Sequence, residues 1–481
     1  MSPHLFVLFG ASGDLAAKKL FPALFRVDRR EGGVKVLGVG RSDWNDARLR
    51  DEAVHGLTEA GIPETDARDW AESTLHYARV SAYDDLAPVF ARADEIATGT
   101  EGNRAYYLAL PPRAFPGTIA ALGEHEREAG RAPDEDGHQP SGWTRLVIEK
   151  PFGSDLASAR ALNALVHEHF REDQVYRIDH FLGKETVQNL LVFRFANALF
   201  ESLWSRAHVE MVEVVVTETN DASGRAGYFD GVGTLRDMIQ NHLTQLFALT
   251  AMEPPARLDA DGIRAEKVKV LQSTRTAEIT EAVYGQYASG DGKDAYRDHE
   301  GVAEDSRTET FAAVRLYVDN WRWQGVPFVL RTGKRLKERL TEIAVTFRRP
   351  PVSLFAGTAA NCEPTPNVLL IRLQPDEGFR LSFDVKRPGG GFQTTTQHLD
   401  FAYEDLFGAF PDAYETLLRD VANGDATLFV HAEEAEQAWR IYAPLLDAEV
   451  EIHPYASGSW GPEPAERLGI TLDPDITPPD C

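Results

Sequence analysis

Residues 5–9 (Leu-Phe-Val-Leu-Phe) are apolar throughout and stop at Gly10, and no other stretch limits the fold as strongly. A strand with one wet face alternates in polarity. An unbroken apolar run is instead buried on both faces, as in a parallel sheet covered by helices. Residues 14–30 follow with apolar positions at 15, 20, 21, 24, 25 and 27, a roughly helical spacing. A second buried run occupies 34–39, and 105–110 and 145–148 read as two more strands with helical stretches between. Strand–helix alternation sustained over about 150 residues predicts an α/β domain with a doubly wound parallel sheet.

With 481 residues the chain exceeds what one hydrophobic core holds, and two large domains are expected. Past residue 175 the texture changes. Segments 208–219, 310–318, 342–348, 368–373 and 379–385 are rich in strand formers without regular intervening helices. They predict an α+β domain on a mainly antiparallel sheet, covered by helices at 186–200, 233–251 and 430–447. Residues 131–142 and 285–308 read as exposed loops. The expected domains are therefore 1–175 and 176–481.

Fifty basic against 75 acidic residues leave a net charge of −25, which argues against nucleic acid or an anionic membrane as partner. An anionic small molecule stays open, because local cations override a distant field. Asp134-Glu135-Asp136 and Glu433-Glu434 read as solvated surface. The two cysteines, Cys362 and Cys481, build neither a disulfide framework nor a cysteine metal site, which fits a reducing compartment. The first residues lack a secretory pattern, and 5–9 is too short to span a bilayer, so a cytoplasmic location is expected.

Gly10-Ala11-Ser12-Gly13-Asp14-Leu15-Ala16 stands between the first strand and the first helix. Glycine lets the backbone turn tightly toward a pyrophosphate, and the helix start presents unpaired N–H groups. The complete Gly-x-Gly-x-x-Gly is absent, so a plain strand-to-helix turn would carry the same letters. The second strand ends at Gly40-Arg41-Ser42. An acidic residue at that point holds the ribose of NAD, whereas arginine suits the 2′-phosphate of NADP. Arg41 thus favours NADP, although Asp43 is close and a surface arginine reads alike. Glu149-Lys150-Pro151-Phe152-Gly153 follows what reads as this half's last strand, where Lys150 is placed to reach both cofactor and substrate.

Residues 177–185 (Arg-Ile-Asp-His-Phe-Leu-Gly-Lys-Glu) gather Arg177, Asp179, His180 and Lys184 around apolar neighbours. Imidazole plus ammonium suits a phosphate, and a carboxylate suits orienting a histidine base. By itself such a cluster is more often a salt-bridged turn. Further on come Glu218, Gly224 to Asp230, and Leu235-Arg-Asp-Met-Ile-Gln-Asn-His242, which opens a helix. In a regular α-helix Asp237 and His242, five apart, are not stacked on one face, although both could line a cleft at the helix's N-terminal end, and a lone helical histidine is commonly a core residue.

These motifs together resemble the glucose-6-phosphate dehydrogenase family. The 10–16 turn, Glu149 to Gly153, 177–185 and Arg236 to His242 match its signatures in its order. So do Gly285-Gln286-Tyr287, Thr308-Glu309-Thr310-Phe311, 328–336 and Ser459-Trp460-Gly461-Pro462. The resemblance spans nearly the whole chain. It implies a Rossmann-type N-terminal domain and oxidation of glucose 6-phosphate at C1 with hydride transfer to NADP+, the first oxidative step of the pentose phosphate pathway. It implies His242 as general base oriented by Asp179, His180 and Lys184 on the 6-phosphate, and Glu218 and Asp237 on sugar hydroxyls. Lys334 and Arg339 match later substrate contacts, and Lys150 matches a contact to both ligands. Gly10, Ala11, Ser12, Gly13, Asp14, Leu15, Lys19 and Arg41 fall on cofactor positions. NAD+ remains open as a secondary cofactor, no metal is implied, and homodimers or homotetramers are expected.

The chain departs from the family pattern at Ala17, at Phe181 where tyrosine is common, and at His431 and Glu433. The last two are expected to touch packing or assembly. Two rival readings remain: a paralogue acting on another sugar, and a non-catalytic sensor on the same fold. The sensor predicts loss of the base or its orienter, yet His242 and Asp179 are both present.

Overall fold

The computed structural model describes residues 2–472 apart from 98, 132–141, 291, 353, 355–364, 390–391 and 409. Nearly all of the expected 131–142 loop, Asp134 to Asp136 and both cysteines lie outside the described residues. The chain divides into two compact units: Met1–Glu185, Arg257–Arg264 and Pro411–Glu436, and Thr186–Ala256, Ala265–Phe410 and Gln437–Cys481.

The first unit holds strands β1 (His4–Phe9), β2 (Val34–Gly40), β3 (Leu75–Arg79), β4 (Arg104–Leu108), β5 (Thr144–Glu149) and β6 (Val175–Ile178). They form one sheet in the order β3-β2-β1-β4-β5-β6, parallel throughout. This is the order of a Rossmann-type sheet, with its crevice between β1 and β4 where the winding reverses. The expectation that 145–148 ends this half's sheet is corrected by β6. Arg177 breaks its apolar run, yet the side chain is buried, donating to Glu172 Oε1 at 2.7 Å and Asn163 Oδ1 at 3.0 Å.

A helix from far along the chain, Ala413–Asn423, completes this core. Its Leu417, Leu418 and Val421 join the cluster containing Phe21, Leu24 and Val27. Arg30 pairs with Glu415 at 2.9 Å, and Arg145 donates to the terminal carbonyl of Ala422 at 2.8 Å. His431 sits partly buried, 3.4 Å from Glu172, and burial pulls its imidazole down to about 4. It is neutral packing material. Glu434 corrects the reading of Glu433-Glu434 as surface: Glu433 is exposed, but Glu434 is buried with Ala432 and Ala435 on the inner side of its helix.

The second unit is built on β7 (Val209–Thr217), β8 (Ala282–Ala288), β9 (Phe311–Tyr317), β10 (Pro327–Gly333), β11 (Leu340–Phe347), β12 (Val368–Gln374), β13 (Gly378–Lys386), β14 (Thr394–Ala402) and β15 (Ile452–Ala456). Their order is β14-β13-β12-β11-β7-β10-β9-β8-β15. Pairings are antiparallel except β7 with β10 and β8 with β15, which are parallel. The helix expected at 186–200 is broken into Glu185–Phe195 and Ala198–Leu203.

The helix Leu235–Leu243, continuing as Thr244–Ala251, packs on β7 and β10, with Phe247 edge-on to Phe328 at 5.0 Å. The last carbonyls of a helix lack intrahelical donors. Here three buried side chains supply them. Arg194 donates to Leu249 and Met252 at 2.8 Å each, Trp204 to Thr250 at 2.8 Å, and Trp323 to Ala251 at 2.7 Å. Burial lowers the Arg194 guanidinium to about 10, so it stays charged at neutral pH. Arg194→Leu strips two buried carbonyls of their donor, while Glu201 keeps Arg322 at 2.8 Å. A loss of about 3 kcal/mol is expected in urea unfolding; a shift under about 1 kcal/mol would show that these bonds do not hold the helix end.

Candidate active site

In the first unit Gly10 to Leu15 and Arg41, expected to face a cofactor, lie just beyond the carboxyl ends of β1 and β2. Gly10 and Ala11 donate to Val39 O at 2.9 and 3.1 Å, and Gly13 N–H closes back on Gly10 O at 2.9 Å. Gly10 has φ +83°, and a Cβ there would lie 2.1 Å from Ala109 O at the end of β4. Only glycine lets β1 and β4 part with the backbone this near the crevice, which is what a pyrophosphate cradle requires. Ser12 Oγ lies 3.1 Å from Ser42 Oγ, joining this turn to the end of β2. Asp14 is exposed and faces Lys18 at 3.3 Å, Leu15 is partly buried, and Lys19 pairs with Asp412 at 2.7 Å.

Arg41 is exposed, its guanidinium 5.8 Å from the Tyr83 ring centre. The nearby acid, Asp43, is paired with Arg79 at 2.7 Å. The strand end therefore presents an exposed cation, held against Tyr83, beside a carboxylate that already has Arg79 as partner. Lys150 follows β5, next to Glu149. Burial raises the Glu149 carboxyl, against the opposing pull of hydrogen bonds from Tyr107 (2.5 Å) and Tyr414 and the charge of Lys150.

Asp179 to Lys184 form the turn after β6. Asp179 is buried, and its Oδ1 accepts the Phe181 N–H at 3.0 Å. The His180 ring lies parallel to Tyr414, centroids 6.2 Å apart, and 5.1 Å from Phe181. The Lys184 ammonium stands 3.8 Å from the centre of the Phe181 ring. Phenylalanine here forgoes a hydroxyl but gives the lysine a cation–π seat. Tyr414 was missed in sequence because it lies more than 230 residues from this turn, with no local pattern to mark it.

In the second unit Glu218 follows β7 and Lys334 follows β10. Because those strands are parallel, both residues emerge at the same sheet end. Glu218 N–H donates to Gly333 O at 2.9 Å, and Lys334 Nζ meets Glu218 Oε2 at 2.6 Å. Arg339 is exposed just before β11, whose Leu340 pairs with Thr217. Asp237 is partly buried and His242 fully buried on the helix against these strands. Leu235–Leu243 winds with i→i+5 bonds, so residues five apart come toward alignment. The spacing of an ordinary α-helix therefore does not apply to Asp237 and His242.

The arrangement offers a buried imidazole and a carboxylate on one wide helical turn, and a carboxylate–ammonium pair at the end of the strands that support it. That is a set of groups for proton removal and for binding a polyhydroxylated anion.

Comparison with known proteins agrees. Residues 7–189 match the family described as glucose-6-phosphate dehydrogenase, NAD binding domain, and 191–471 its C-terminal domain. The chain is 42% identical to glucose-6-phosphate 1-dehydrogenase of Aggregatibacter actinomycetemcomitans over 96% of its own length and 94% of that protein's. It is 43% identical to glucose-6-phosphate 1-dehydrogenase 2 of Mycobacterium tuberculosis H37Rv, covering 95% and 91%. Among solved structures, the Mycobacterium avium enzyme superposes with a TM-score of 0.85 at 35% identity over 100% of both chains. A glucose-6-phosphate dehydrogenase in complex with glucose 6-phosphate gives 0.87 at 34% identity, covering 98% and 99%. This chain belongs to the glucose-6-phosphate dehydrogenase family.

Proposed function

We propose that the protein oxidises glucose 6-phosphate at C1 to 6-phosphoglucono-1,5-lactone, the first oxidative step of the pentose phosphate pathway. The observation that carries the reading is the meeting of Glu218 and Lys334 at the ends of β7 and β10, on which the helix bearing Asp237 and His242 packs. His242 takes the proton of the C1 hydroxyl, because hydride does not leave C1 readily while that proton stays. Imidazole is the side chain whose ordinary pKa suits this task. Asp179 is assigned to hold that imidazole in the correct tautomer, and its own carboxylate is fixed by the Phe181 N–H. His180 and Lys184 take the 6-phosphate, Glu218 and Asp237 accept from sugar hydroxyls, and Lys334, Arg339 and Lys150 add positive charge. Phosphate binding remote from C1 contributes positioning energy to the reacting end.

NADP+, when bound, supplies the hydride acceptor. Gly10 to Leu15 with Lys19 and Lys150 suit its pyrophosphate and nicotinamide end, and Arg41 its 2′-phosphate. Charge supports NADP+ over NAD+, since Asp43 is occupied by Arg79. The same reading includes a homodimer or homotetramer. Phe392, Leu399, Leu406 and Phe407 are large apolar side chains left exposed on and around β14, a partly exposed edge of the nine-stranded sheet.

Among the described residues no helix is long and apolar enough to cross a membrane.

Initial rates at 340 nm with glucose 6-phosphate test the reaction. His242→Asn is expected to lower kcat at least about 100-fold with KM little changed. Near-normal turnover would remove His242 from the role of base. Arg41→Ala is expected to raise the KM for NADP+ about 10- to 100-fold, the loss of a charged hydrogen-bond partner, and leave that for NAD+ unchanged. An equal effect on both cofactors would place Arg41 outside 2′-phosphate recognition.

A further inference from the structure

Glu309 stands two residues before β9 and has no part in sugar or cofactor binding as assigned above. Its Oε1 accepts the N–H of Leu235 at 2.8 Å, the first residue of the i→i+5 turn. Its backbone carbonyl accepts the Thr234 N–H at 3.1 Å and the Thr234 hydroxyl at 2.9 Å. Gly233, with φ +70°, closes against the carboxylate: a Cβ there would come within 2.4 Å of Oε1.

The next peptide ties a second element. The carbonyl of Thr310 accepts the N–H of Lys334 at 2.9 Å, and its own N–H donates to Gly285 O at 2.8 Å. Two consecutive residues thus join the start of the helix carrying Asp237 and His242 to the turn carrying Lys334. We propose that Glu309 is a positioning residue for the reaction, fixing the opening of that helix so that Asp237 and His242 keep their place relative to Lys334. This rests on the reading of those three residues given above.

The groups facing the carboxylate are Arg236 from the helix and Tyr284 from β8. Burial pushes Glu309 up to about 7, against the Leu235 N–H and Arg236, which lower it. Tyr284 is itself pushed up by burial and stays neutral. With the folded value above the ordinary 4.5, the stability this group contributes is full below that value and is lost as pH rises through about 7.

Steady-state rates with glucose 6-phosphate and NADP+ are to be measured for Glu309→Ala, Glu309→Asp and Glu309→Gln beside His242→Asn. Glu309→Ala and Glu309→Asp, the latter one methylene too short to reach Leu235, are expected to lower kcat about 10- to 100-fold with the KM for NADP+ unchanged. Glu309→Gln keeps the acceptor and is expected to restore most of kcat while flattening the fall of the unfolding midpoint between pH 5 and 8. Wild-type kcat in folded Glu309→Ala or Glu309→Asp overturns the proposal, as does a loss in Glu309→Gln equal to that in Glu309→Asp. Turnover retained in His242→Asn sinks the base assignment instead. Turnover lost there but retained in Glu309→Ala or Glu309→Asp sinks the positioning role alone.

Discussion

The chemistry of the second unit depends on β7 and β10 running in the same direction. Val212 faces Phe328 and Thr217 faces Gly333 in register, so residues 218 and 334 leave the sheet side by side. An antiparallel pair would put them at opposite ends, some six residues apart in rise. A parallel pair cannot be joined by a hairpin and needs a long crossover. That crossover contains the helix with Asp237 and His242, the helix Ala260–Ser273, and β8 and β9. One pairing therefore accounts both for the meeting of Glu218 with Lys334 and for the helix that packs on the same two strands.

The pairing is held in place by buried charge. Glu213 on β7 and Arg331 on β10 pair at 2.8 Å, and Arg331 also donates to Leu472 O at 2.9 Å. Burial pushes the Glu213 carboxyl up and Arg331 pulls it back. Against a well-packed apolar pair such an ion pair gains little, but removing one partner costs about 3–5 kcal/mol because the other charge stays buried. A slip of one residue would turn Glu213 to the opposite face and leave both charges in that condition. The one-residue slip is thus penalised more strongly than the native register is favoured by the pair.

How far the sequence discloses this structure depends on what each residue must satisfy. β1, β2, β4 and β5 are legible because a strand buried on both faces keeps a long apolar stretch, here 5–9, 36–39, 105–108 and 146–148. β3 and β6 are not, since His76 and Arg177 divide strands of only 5 and 4 residues, and Arg177 is buried through Glu172 and Asn163, partners that no run of letters reveals. β10 carries a family signature but no pattern that marks it as a strand, and strand direction has no local mark at all. The 10–16 turn was readable because a close backbone approach demands glycine. The relation of Asp237 to His242 is not legible in the sequence, because a 3.6-residue period does not describe i→i+5 winding. In the sequence Glu309 stands out only as a member of Thr308-Glu309-Thr310-Phe311. Its contact to Leu235 joins residues 74 apart, and that separation hid its place.

The charge of the chain and the charge of its ligands stand in apparent conflict. A net −25 repels a phosphate ester and a dinucleotide at long range. At physiological ionic strength, though, exposed charges are screened beyond about 8 Å, so an anion at the site responds chiefly to its immediate surroundings. Those surroundings are arranged by pairing. Lys19 is held by Asp412 and Lys334 by Glu218, while Asp43 is neutralised by Arg79 beside an exposed Arg41. A carboxylate that orients an ammonium before an anion arrives limits the side-chain entropy lost on binding. The same carboxylate, once the anion shares the ammonium, can accept from a sugar hydroxyl. On the role proposed for it Glu218 would do both, with its pairing to Lys334 holding the cation in place beforehand, and the acidic residues far from the site bear on solubility and not on recognition.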